Sequence, residues 1–295
     1  MRARRGPFFC MDCSARGFDY EYEDDYDYEM RNLSSIRFAS LPMCCAFVAS
    51  LVLCGCSAKK DAAPAASTRE VTFTTSDGYE IAASIYSVEH AKPAGLILVP
   101  MLGTTRDRWL TFAQAAQRDG YMSIAIDMRG HGGSTMRNGE KTLYKSFKAE
   151  DWLGVLNDIG AAKKALINAG VDANNIAVIG ASIGANLALR YATIDPDIQA
   201  VGMISPGLDY RGVTVEEPFK QLKTRPVLLM DSIGDAYSAD TCVALEKLAP
   251  GHCDLHEYAG AAHGTDLLDT NENAIGQILQ WLSPIIGPDS TKKKS

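Results

Sequence analysis

The sequence predicts an α/β fold built on a mostly parallel sheet flanked by helices. Three observations carry that expectation. From about residue 70 to residue 286, short apolar or alternating runs take turns with segments of helical period, the pattern of successive strand–helix–strand units. Residues 95–99 are short and lack any polar side chain, as suits a strand buried on both faces. At 176–189 an apolar strand-like run passes through Gly180-Ala181-Ser182-Ile183-Gly184 directly into a helix-like one.

The elements follow in order. Residues 70–75 and 80–87 alternate around Asp77-Gly78, where glycine supplies the positive φ that a tight hairpin needs. After the strand at 95–99, residues 106–118 read as a helix and 121–128 as the next strand. Residues 149–169 place Trp152, Val155, Leu156, Ile159 and Ala162 at helical spacing and stop at Gly170, a C-terminal signal. Then come a strand at 175–180, a helix at 183–193, and strands at 198–205 and 226–231. A helix at 239–248, a strand at 254–258 and a closing helix at 273–286 complete the domain, which spans 70–286. Right-handed crossovers follow from the parallel arrangement. Residues 287–295 read as a disordered tail.

The region before residue 70 has a different character. Residues 1–29 carry four Arg against eight acids, a net −4 of the chain's −7, and read as an upstream extension outside the native protein. Residues 30–55 resemble a secretory signal: Arg31 and Arg37 precede an apolar run without charges that ends in Leu53-Cys54-Gly55-Cys56. Those last four residues are similar to a bacterial lipobox. The resemblance implies diacylation of Cys56 and a lipid-anchored protein of the bacterial cell envelope, periplasmic or facing the outer membrane. Two acyl chains suffice for stable anchoring. The uncharged run 38–58 is also long enough for an uncleaved transmembrane anchor. Residues 56–69, rich in Ala, Lys and Pro, read as a flexible tether.

Partners are bounded by the same composition. A mildly acidic body lacks the basic face that nucleic acid requires. No nicotinamide fingerprint, P-loop or HExxH zinc motif occurs, so no cofactor and no metal is expected. Cys10 and Cys13 form a CxxC pair without the further ligands of a zinc site.

The chemistry centres on Gly180-Ala181-Ser182-Ile183-Gly184, a GxSxG nucleophile elbow. A serine on a tight strand-to-helix turn projects its hydroxyl above the sheet edge, and small neighbours let strand and helix approach. Further motifs stand in register. Pro100-Met101-Leu102-Gly103 follows the strand at 95–99. Asp127-Met128-Arg129-Gly130-His131-Gly132-Gly133-Ser134 follows the strand at 121–128. Asp235 lies four residues past Asp231, and His263 sits in Ala261-Ala262-His263-Gly264 after the strand at 254–258.

On these residues the chain resembles the α/β-hydrolase superfamily over about residues 70–286. The resemblance implies an eight-stranded sheet with little or no cap. It implies a triad of Ser182 as nucleophile, His263 as base and Asp235 as the acid that orients it, in the family's chain order. It also implies an oxyanion hole from the backbone N–H groups of Ile183 and Leu102. Where the family often has His-Gly before the oxyanion residue, this chain has Pro100-Met101.

Several alternatives stay open. Asp231 is the rival acid, expected too early on its strand. His131, Asp127 and Arg129 read as braces of their loop. Cys242 and Cys253 form either a disulfide or two separate buried thiols. The segment 207–225 leaves room for one short helix and a loop, so an open pocket is expected, with Met101, Leu102, Tyr210 and Tyr237 at its walls. The expected partner is a small ester or other acyl substrate, with dienelactone-hydrolase-like and peptidase-like reactions also within the resemblance. Outside that class stand an inactive hydrolase fold used as an anchored binding module and an acyltransferase or haloperoxidase using the same triad.

Overall fold

The computed structural model describes residues 67–89, 93–249 and 253–287. Cys56, the signal-like segment and the acidic residues 1–29 lie outside them. The structured domain starts earlier than the sequence suggests: residues 67–69, assigned above to the tether, are already in the first strand.

The strands, in chain order, are β1 (Ser67–Thr74), β2 (Tyr79–Ser87), β3 (Ala94–Val99), β4 (Tyr121–Ile126), β5 (Met136–Arg137) and β6 (Glu140–Lys141). They continue with β7 (Ile176–Ala181), β8 (Ile198–Ile204), β9 (Asp209–Tyr210), β10 (Val213–Thr214), β11 (Val227–Ser232) and β12 (Cys253–Tyr258). Eight of them form the expected sheet, in the order β1-β2-β4-β3-β7-β8-β11-β12. β2 runs antiparallel to β1 and β4, and every pairing from β4 to β12 is parallel. The small hairpin β5–β6 extends the sheet along the first half of β2. β9 and β10 form a separate two-stranded ribbon.

The helices are α1 (Leu110–Arg118), α2 (Ala149–Leu153), α3 (Val155–Asn168), α4 (Ile183–Ile194), α5 (Glu216–Gln221), α6 (Ala236–Leu248), α7 (Asp266–Thr270) and α8 (Ala274–Ile286). Strand alternation divides the core into two layers. Ile97, Val99, Ile176 and Val178 point to the side covered by α3, α4 and α6. Leu96, Leu98, Ala177 and Ile179 point to the side covered by α1 and α8. Every residue of β3, β4, β7 and β11 is buried, which is why those runs are mostly apolar and lack alternation; their polar members are Ser123, Asp231 and Ser232. Among the described residues, no helix is long and apolar enough to cross a membrane.

Two helices differ from the sequence reading. The segment 106–118 opens with a 3₁₀ turn, Arg106–Trp109, before α1 begins. The segment 149–169 is interrupted at Gly154, where a β-carbon would sit 2.3 Å from the Arg129 guanidinium. That guanidinium is almost fully buried. It donates to Asp158 on α3 and to Asp77 in the β1–β2 turn, and it lies over the Tyr79 ring at 4.2 Å. Arg129 thus ties the loop after β4 to the hairpin and to a helix.

This tie is acid-sensitive. Burial alone would raise the Asp77 carboxyl, but hydrogen bonds from Arg129 and Thr75 outweigh it and hold the group at about 2, below its ordinary 3.8. A depressed folded value stabilises the native state above the unfolded value, and that contribution is lost as pH falls through the folded one. Asp77→Asn is therefore expected to flatten the loss of stability between pH of about 4 and about 2, read from urea midpoints. A mutant whose acid profile matches wild type contradicts this account of Asp77.

Candidate active site

β7 ends at Ala181 and α4 starts at Ile183, so Ser182 alone makes the turn. Its backbone sits at φ 55° and ψ −126°, a conformation that L residues rarely adopt. Strain of this kind costs about 1–3 kcal/mol and persists only where the surroundings over-determine it. The two glycines of the motif show how. A β-carbon on Gly180 would lie 2.0 Å from the Gly184 carbonyl oxygen. One on Gly184 would lie 2.4 Å from the carbonyl oxygen of Pro100 and 2.5 Å from that of Val99. Strand, turn and helix are therefore in backbone contact with the end of β3. This contact brings the first turn of α4 against the segment that carries Leu102.

Ser182 Oγ lies 2.8 Å from His263 Nε2, and His263 Nδ1 lies 2.7 Å from Asp235 Oδ2. A carboxylate can only accept, so the imidazole proton is on Nδ1. Nε2 of the neutral ring then accepts from the serine hydroxyl. Burial alone would raise the Asp235 carboxyl. The hydrogen bond from His263 and the neighbouring Ser238 outweigh burial and hold it below the ordinary carboxylate range. Asp235 is the residue before α6, which starts at Ala236, three residues earlier than the helix expected at 239–248.

Asp231 stands elsewhere. It lies within β11, is fully buried, and neither carboxylate oxygen has a hydrogen-bond partner of ordinary strength. Burial pushes its carboxyl up, reinforced by the charges of Glu257 and Asp235 and opposed by the Cys242 thiol. The structure therefore places Asp235, not Asp231, against the histidine.

Leu102 is the second residue of the turn Met101–Thr104, closed by the Thr104 N–H on the Met101 carbonyl at 3.3 Å. The second residue of such a turn leaves its own N–H free. Ile183 is the first residue of α4, whose N–H has no intrahelical acceptor. Met101 reaches toward the segment after His263. Its sulfur packs under Gly264 and accepts a long contact from Thr265. A cleft of about 370 Å³ opens beside this segment, lined by Gly103, His131, Lys141 and Tyr144 among others and by no member of the Ser182–His263–Asp235 group.

The remaining motif residues brace loops. Asp127 accepts from the Arg106 and Gly133 amides and pairs with the Arg106 guanidinium. Ser134 donates to the Asp127 carbonyl and accepts from the Ala82 amide. His131 stacks on Tyr144 at 4.0 Å, and burial pushes its imidazole down toward the neutral form. His256 meets Gln277 of α8. Cys242 and Cys253 are free thiols. Burial pushes Cys253 up to about 12 and Cys242 higher still, so neither holds a thiolate at neutral pH. Among the described residues no cluster of His, Cys, Asp or Glu is arranged to hold a metal ion.

Two residues important to this geometry carry no motif. Ser205, fully buried at the end of β8, accepts the Gly264 N–H at 2.9 Å and so fixes the backbone beside His263. Asn186, fully buried on α4, donates to the carbonyls of Gly207 and Val213 and accepts the Gly207 N–H. It fastens the segment after β8 to the nucleophile helix. The nearest sequence signal is the Ser205-Pro206-Gly207 turn at a strand end.

The fold finds clear counterparts among solved structures. DcsB in complex with its substrate analogue superposes with a TM-score of 0.63 at 16% identity, over 75% of this chain and 99% of that one. The fold is the α/β-hydrolase fold. An esterase of Pyrococcus furiosus matches with a TM-score of 0.61 at 17% identity, over 75% of this chain and 92% of its own. Proline iminopeptidase from Mycobacterium smegmatis matches with 0.58 at 15% identity, over 72% and 97%. Within the α/β-hydrolase fold of this chain, residues 91–232 match the family model described as serine aminopeptidase, S33. That stretch contains Ser182 and ends before Asp235 and His263. No curated protein matches the chain significantly.

Proposed function

We propose that the protein is a serine hydrolase that cleaves carboxylic esters through an acyl-enzyme intermediate. The observation that carries this reading is the unbroken chain from Ser182 Oγ to His263 to Asp235, with both contacts below 3 Å. His263 Nε2 takes the serine proton as Oγ attacks the acyl carbon. Asp235 holds the tautomer and stabilises the imidazolium that forms. The N–H groups of Ile183 and Leu102 receive the tetrahedral oxyanion, each such donor contributing about 3 kcal/mol to lowering the barrier. His263 then returns the proton to the leaving alcohol, and water repeats the sequence on the acyl-serine. An intact triad in strained, preorganised geometry speaks against an inert binding module.

Hydrolysis of N-terminal peptide bonds is the second reading, favoured by the match of residues 91–232 to the serine aminopeptidase model. Turnover of p-nitrophenyl acetate and butyrate beside that of amino-acid p-nitroanilides separates the two. The account expects kcat/KM for the esters to exceed that for the anilides. The reverse order assigns a peptidase, and no turnover of either by folded protein contradicts the hydrolase reading.

We also propose, from the lipobox-like Leu53-Cys54-Gly55-Cys56, that the protein is held at a bacterial envelope membrane through acylated Cys56. Labelled palmitate incorporated by the full chain and lost in Cys56→Ala is the expected result. Equal labelling of both contradicts it.

A further inference from the structure

Residue 210 lies outside the triad and outside every motif, yet its side chain meets two parts of the site. The Tyr210 ring stands edge-on to the His263 imidazole, with centroids 6.3 Å apart and planes at 85°. Its hydroxyl lies 3.4 Å from the Ser238 hydroxyl. Ser238 is fully buried in the first turn of α6, beside Asp235. One aromatic side chain therefore touches the base directly and the surroundings of the acid through Ser238.

The segment that presents Tyr210 is fastened at many points. Asn186 holds both ends of it, at Gly207 and Val213. Thr241 accepts the Leu208 N–H, and the Asp209 carboxylate accepts the Gly212 N–H. The Tyr237 hydroxyl accepts from the Asp209 amide and donates to its carbonyl, while the Tyr237 ring packs against Tyr210 at 5.6 Å. A β-carbon on Gly207 would meet both tyrosine rings at 2.6 Å, so glycine there lets them close in. The short β9–β10 ribbon is thus a fixed strap. The His263 side chain is 29% exposed, and the Tyr210 ring covers part of it.

We propose that Tyr210 is a positioning residue: its ring, held by the strap and by Tyr237, locks His263 in the rotamer that bridges Ser182 and Asp235. The proposal rests on the hydrolase reading only where the readout is turnover. A base free to swing costs rate in the chemical step and leaves substrate binding almost untouched.

The test compares wild type, Tyr210→Phe, Tyr210→Leu and Tyr210→Ala as full chains, with melting midpoints recorded for each. The first readout is the low-field proton resonance of His263 Nδ1–H, which needs no activity. It is expected in wild type and Tyr210→Phe, and broadened away by exchange in Tyr210→Ala. The second readout is ester hydrolysis. Tyr210→Ala is expected to lower kcat by about 10- to 100-fold with KM little changed, Tyr210→Leu to fall between, and Tyr210→Phe to stay near wild type. If Tyr210→Ala fails to fold, the Leu and Phe pair carries the comparison. An unchanged resonance in the Ala or Leu variant, a loss confined to KM, or a Phe variant as poor as Ala overturns the proposal. A wild type that shows the resonance but turns over no ester defeats the hydrolase reading and leaves the positioning role standing.

Discussion

Ser182→Ala is expected to lower ester turnover by about 10⁶-fold, because serine and histidine of such a triad act as a unit and the loss of the nucleophile removes covalent catalysis entirely. The residual rate comes from substrate binding and oxyanion donors alone. The fold is expected to survive. Alanine keeps the β-carbon that already occupies φ 55°, and the lost hydroxyl is bonded only to His263 among the contacts that define the site. The melting midpoint is therefore expected to match wild type, so that lost activity reports chemistry. Rates for the two proteins on p-nitrophenyl acetate, with melts alongside, decide it. Retention of more than a small fraction of wild-type turnover would mean that another group attacks the ester.

The second large effect separates two aspartates four residues apart. Asp235→Asn is expected to cost about 10⁴-fold in kcat, since an amide favours the wrong histidine tautomer while leaving the geometry in place. Asp231→Asn is expected to leave kcat within a few-fold. Its stability effect has a definite sign. Burial raises the Asp231 carboxyl above its ordinary value, so the native state prefers the protonated form and loses stability as pH rises through that range. Asparagine removes that penalty, and Asp231→Asn should melt no lower than wild type at alkaline pH. If the two variants exchanged these phenotypes, the assignment of the acid would be wrong.

Much of this was legible in the sequence, for identifiable reasons. β3, β4, β7 and β11 are buried on both faces, so they appear as largely apolar runs without alternation, Ser123, Asp231 and Ser232 being their polar members. Gly180 and Gly184 appear because backbone contacts at both positions exclude any β-carbon. The nucleophile elbow and the resemblance to the α/β-hydrolase superfamily point to Ser182, Asp235 and His263, and the structure brings the three together. What escaped had no periodic signal. β5, β6, β9 and β10 are two residues each, too short to express alternation. Gly154 is helical in its own dihedrals, and glycine stands there because a β-carbon would meet the Arg129 guanidinium. Asn186, Ser205 and Tyr210 act through partners 20 to 60 residues away, and no local pattern announces such pairings. The contacts of Met101 with Gly264 and Thr265 escaped for the same reason, since both partners arrive from the far end of the chain.

The central claim is that Ser182 is an activated nucleophile. Treating the folded full chain with a fluorophosphonate and mapping the adduct by peptide mass spectrometry tests it most directly. The account predicts one adduct per chain, on the peptide containing Ser182, and none on Ser182→Ala. A folded wild-type protein that takes up no probe, or that carries it on another residue, would contradict the claim.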